Sequence, residues 1–108
     1  MDKRARIREL NDAFRGTFSG GQVLLTPGIN DLPSDVRAKA IRKVATFDAF
    51  TGDNDPHDEH DFGSFDLAGQ KFFWKIDYYD LTLEGGSEDP SDPKQTTRVL
   101  TIMLAEEY

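Results

Sequence analysis

Apolar positions follow helical spacing before residue 51 and strand alternation after residue 60. Ile7, Leu10 and Phe14 recur at helical intervals with Arg4, Arg8 and Asp12 elsewhere on the wheel, which predicts an amphipathic helix over 3–15 ended by Gly16. The run Gln22-Val23-Leu24-Leu25-Thr26 is too short for a helix and long enough for a buried strand before Pro27-Gly28. A second helix is expected to start around Pro33, with Asp31 or Ser34 as N-cap. Its apolar stripe is Val36, Ala40, Val44, Phe47 and Phe50, ending at Thr51-Gly52.

From His60 the period becomes two. His60 to Leu67 and Gln70 to Tyr79 flank Ala68-Gly69 as the arms of a hairpin. A two-residue turn sets Asp66 opposite Lys71, Gly63 opposite Trp74 and Phe65 opposite Phe72, all favourable cross-strand pairs; a bulge at Gly69 would shift this register by one and swap the faces. Residues 80–95 read as a long polar loop, and 97–105 as a central strand that is apolar on both faces. The expected fold is α+β, in the order α-β-α-β-β-β, with a mostly antiparallel four-stranded sheet and both helices on one face. At 108 residues the chain fits one domain, 1–108.

Charge changes the picture more than composition does. The net charge of −7 divides into +3 over residues 1–50 and −10 over residues 51–108. Such a balance opposes nucleic-acid phosphates and membranes and favours a protein partner with a basic surface. The carboxylates that would form the contact are Asp53, Asp55, Asp58, Glu59, Asp61, Asp80, Glu84, Glu88, Asp89 and Asp92. Phe72, Phe73, Trp74, Tyr78 and Tyr79 resemble an RNA-stacking platform in type, but Asp77, Asp80 and the acidic loop oppose that reading. There is no cysteine, hence no disulfide or thiolate chemistry, and no apolar run of membrane-spanning length; cytoplasmic residence is the expectation.

The densest polar stretch is Asp53-Asn54-Asp55-Pro56-His57-Asp58-Glu59-His60-Asp61. No cofactor is expected, but Asp55, His57, His60 and Asp61 could hold a divalent metal, although their spacing matches no established motif. The simpler reading is a turn in which Asp and Asn bond their own backbone. In the hairpin register His60 would face Asp77 beside Tyr79, which are candidate catalytic residues for proton transfer or a structural ion pair. Ser64 shares that face about 13 Å away, too far to act as a nucleophile with His60.

The segments Asn54-Asp55-Pro56, Glu59-His60-Asp61-Phe62-Gly63, Phe73-Trp74-Lys75-Ile76-Asp77-Tyr78-Tyr79-Asp80 and Met103-Leu104-Ala105-Glu106-Glu107-Tyr108 resemble an uncharacterised bacterial family of small acidic proteins, a domain of unknown function often carried on plasmids and other mobile elements. His57 departs from that pattern, which counts against a His57–His60 metal pair. The resemblance supplies no catalytic residues. Charge and genomic setting together imply a non-enzymatic interaction module, such as an inhibitor of a nucleic-acid-binding host or defence protein that imitates phosphate. The alternative is a small metal- or His-dependent enzyme centred on His60, Asp61, Asp77 and Tyr79.

Overall fold

A computed structural model describes residues 2–108. Helix α1 spans Lys3–Thr17, strand β1 Gly21–Leu25, a single turn α2 Pro27–Asn30, and helix α3 Ser34–Ala45. Strands β2 (Phe62–Leu67), β3 (Gln70–Tyr79) and β4 (Thr97–Leu104) follow, and a 3-10 turn at Ala105–Glu107 closes the chain. The sheet order is β1-β4-β3-β2. Two pairings are antiparallel, while β1 lies parallel to β4. The α+β fold with a mostly antiparallel sheet is the expected one.

The Asp2 carboxylate accepts the Ala5 N–H at 2.7 Å and starts α1. Gly16 does not end the helix, contrary to expectation. The left-handed residue is Phe18 (φ 57°), whose N–H closes the last turn on the Phe14 carbonyl. Strand β1 is not buried either: it has one neighbour and sits at the sheet edge, leaving Val23 and Leu24 exposed. Helix α3 follows Pro33 without a side-chain cap, so neither Asp31 nor Ser34 plays that part. The helix stops at Ala45. Phe47 and Phe50 leave its stripe and reach Trp74 edge-on from the following loop, with ring centroids 5.5 and 6.1 Å away.

The hairpin has the anticipated register, Gly63 opposite Trp74 and Asp66 opposite Lys71. Ala68 and Gly69 both take positive φ (54° and 76°), the conformation of a tight two-residue turn whose twist matches the strands, so no bulge shifts the faces. Gly63 is where Trp74 needs room: a methyl group there would overlap the indole and the Phe47 ring. Phe72, Trp74 and Ile76 of β3 and Leu100, Ile102 and Leu104 of β4 point to the helical side. They pack with Phe14 of α1, Ile29 of α2, and Ala40 and Val44 of α3, which places the helices on one face. As the neighbour of both β1 and β3, β4 is central. Among the described residues no helix is long and apolar enough to cross a membrane.

Candidate functional site

The loop between α3 and β2 is built by its own side chains and by α1. Arg15 of α1 is buried, and its guanidinium donates to the Val44 and Phe47 carbonyls at 2.9 and 2.8 Å, tying the end of α3 and the start of the following loop to α1. It also lies 5.0 Å from the Trp74 ring centre and 5.3 Å from that of Phe50. Further along, the Asn54 amide bonds the Thr51 N–H and the Ala49 carbonyl, and Asp55 Oδ1 accepts the N–H groups of Glu59 and His60, both at 3.1 Å. The stretch is thus the self-capped turn that its Asp and Asn content implies.

Within that turn Asp58 and His60 both have φ of 55°, a conformation costing a non-glycine residue about 1 kcal/mol or more. The consequence is a fixed imidazole. His60 stacks on Phe50 at 3.8 Å with 3° between planes, and its Nδ1 lies 2.8 and 3.1 Å from the two oxygens of Asp12. Asp12 in turn accepts from Arg15 at 3.0 Å. On the other side of the ring, Nε2 stands 3.6 Å from Asp55 Oδ2. One ligand atom from each of Asp55, Asp58 and His60 lies within 4.8 Å of the others, around a shallow pocket floored by Phe50. Arg8 of α1 closes one side, donating to the Asp58 carboxylate at 2.6 Å and to its carbonyl at 3.1 Å.

The proposed convergence of His60, Asp77 and Tyr79 is not made. The ladder ends at Phe62, with a last hydrogen bond from Ile76 N–H to the Asp61 carbonyl, and the positive φ at His60 turns the chain toward α1. Asp77 and Tyr79 lie on the opposite, outer face, where Asp77 pairs with Lys75 Nζ at 3.0 Å. Of the metal candidates Asp55 and His60 come together, whereas His57 is exposed and Asp61 lies outside the group. Half-burial, reinforced by the charge of Glu59, raises the Asp61 carboxyl above its ordinary value. Asp58 takes the missing place. Its spacing to Asp55 and His60 was visible, but its direction depends on backbone handedness, and Asp12 lies 48 positions away from His60 on another element.

The partner-contact carboxylates are spent unevenly. Glu59 accepts from the Tyr78 hydroxyl, which also bonds buried Asn11, and Asn11 accepts from Arg98 Nε at 2.8 Å. Burial pushes the Tyr78 phenol up and holds the Arg98 guanidinium below its usual value. Asp80, Asp89 and Asp92 fold their own loop by accepting from Glu84 N–H, the Ser91 hydroxyl and the Gln95 amide, contacts that lower all three. Asp53, Glu84 and Glu88 are exposed, and their carboxylates make no hydrogen bond or ion pair among the described residues. The acidic segments do not form one face. Glu106 and Glu107 sit at the Phe72 end of β3, about 23 Å from the Tyr79 end that carries the loop at 80–95. Basic residues of α1 interleave with the acids at that second end, through Arg8–Asp58 and Lys3–Asp89.

The outer sheet face carries no helix. Leu24, Lys75, Asp77, Tyr79, Leu83 and Thr101 line a shallow groove there, with Leu24 51% and Leu83 45% exposed. A family model described as a protein of unknown function (DUF3768) matches residues 25–107, which takes in α2, α3 and β2 to β4 together with Asp55, Asp58 and His60, but not Asp12. No curated protein and no solved structure matches the chain.

Proposed function

The chain belongs to the DUF3768 family, a family of unknown function, and from its geometry we propose that it is a non-enzymatic binding module that engages a basic protein segment on its outer sheet face. One observation carries this reading: a groove between the exposed side chains Leu24 and Leu83, lined by Asp77 and bordered by the loop that carries Glu84 and Glu88. An exposed apolar strip of this kind is a common mark of an interface. The charge selects the occupant, because the exposed carboxylates Glu84 and Glu88 of the loop that supplies Leu83 repel phosphate and draw lysine and arginine. Lys75 is already neutralised by Asp77 and does not reverse the sign. Broad imitation of a phosphate chain is less well supported, since α1 and local turns already engage most of the loop carboxylates. Blocking a basic host protein from a mobile element is one setting for this chemistry. The His-centred enzyme has lost Asp77 and Tyr79 as partners.

Binding of Lys/Arg-rich peptides that carry leucine, measured at low and moderate salt, tests the reading. Leu24→Ser with Leu83→Ser should abolish binding, and Glu84→Gln with Glu88→Gln should weaken it several-fold at low salt. Equal binding by both double variants overturns the proposal. So does concentration-dependent self-association in sedimentation that Leu24→Ser removes, because the occupant would then be a second copy.

A further inference from the structure

We propose that Asp55, Asp58 and His60 bind a divalent first-row cation, Mn²⁺ or Zn²⁺, and that Asp12 is the residue that positions the histidine for it. An ionised carboxylate only accepts hydrogen bonds, so His60 Nδ1, held by Asp12 at 2.8 Å, carries a proton, and in the neutral ring that tautomer turns the Nε2 lone pair toward the pocket. A carboxylate behind a ligating imidazole is the usual supporting arrangement at metal sites, because it fixes the tautomer and the ring. Here the ring is also clamped by Phe50.

Independent support comes from Asp55, whose side chain is only 3% exposed. Its Oδ1 is taken by two backbone N–H groups, but Oδ2 accepts no hydrogen bond among the described residues and faces His60 Nε2 at 3.6 Å. An anionic oxygen opposite a ring nitrogen, both opening on the pocket with no donor between them, offers a cation two ligand atoms. Donors that share one such ion stand about 3 to 4.4 Å apart, so a group within 4.8 Å needs only a small closure. Asp58 gives one oxygen to Arg8 and keeps the other. One imidazole with two carboxylates suits Mn²⁺ or Zn²⁺ better than Ca²⁺, which takes six to eight oxygens, or Mg²⁺, which keeps its waters. Three protein ligands leave the remaining positions to water.

The test titrates chelator-treated protein with MnCl₂, following loss of the free-ion electron paramagnetic resonance signal, and with ZnCl₂ by calorimetry. One ion per chain is expected. His60→Gln should weaken binding by about a hundredfold or more and Asp12→Asn by about tenfold, while His57→Gln leaves it unchanged. Arg8→Gln should tighten binding, because it removes a guanidinium that competes for Asp58. Asp55→Asn also removes a turn cap, so circular dichroism checks its fold; if it fails, His60→Gln and Arg8→Gln decide. No binding by folded wild-type protein at millimolar metal overturns the proposal, as does equal loss on His57→Gln. A persistent Nε2–H resonance of His60 at neutral pH with metal present overturns it too, by showing that a proton supplies the charge.

Discussion

Asn11 is fully buried and uses both amide hydrogens and its oxygen, donating to the Glu59 carbonyl and the Tyr78 hydroxyl while accepting from Arg98. Replacing it strands a buried guanidinium nitrogen and weakens the hold on the strained turn at Asp58 to His60. Asn11→Ala should therefore cost about 2 to 4 kcal/mol, read from urea unfolding of the two proteins. Arg98 faces Asn11 from β4 and stacks on the Tyr78 ring at 5.2 Å, so Asn11→Ala and Tyr78→Phe should be non-additive. None of this network was legible in the sequence. Asn11 lies four residues after Ile7 and three before Phe14, on the apolar face of the helix, but its partners are 48 and 67 residues away and no local pattern names them.

At the scale of elements, local pattern told more. Alternation, the Ala68-Gly69 pair and the match of Gly63 to Trp74 were enough to set the β2–β3 register, because each depends on neighbours within one hairpin. The turn still carries a mismatch: Ala68 holds φ of 54° with a β-carbon that disfavours it. Ala68→Asn should stabilise the protein by about 0.5 to 1 kcal/mol, seen as a higher denaturant midpoint with an unchanged slope. Gly63→Ala should destabilise by about 1 to 3 kcal/mol, since it drives a methyl into Trp74 and Phe47. What the pattern could not reach was anything set by a distant element or by handedness. The exposure of β1, the early stop of α3 and the turning of His60 away from Asp77 all belong to that class.

For the whole molecule, charge sets the response to acid. Asp80, Asp89 and Asp92 have folded values below the ordinary 3.8, so the stability they lend is present above that value and drains as pH falls through their lowered ones. Asp61 has the opposite sign: raised in the fold, it favours folding when protonated and opposes it as pH rises through its raised value. Asp61→Asn should therefore lift the melting temperature by a few degrees at pH 7 and not at pH 3, as scanning calorimetry would show. The parallel pairing of β1 with β4 has a consequence in time. Gly21 faces Arg98, so the first strand waits for most of the chain before it can find its neighbour, whereas the hairpin closes over a two-residue turn. On a translating ribosome the early helix and strand would emerge with exposed apolar groups and no sheet to join, and the order of assembly would run from the later half of the chain back to the earlier one.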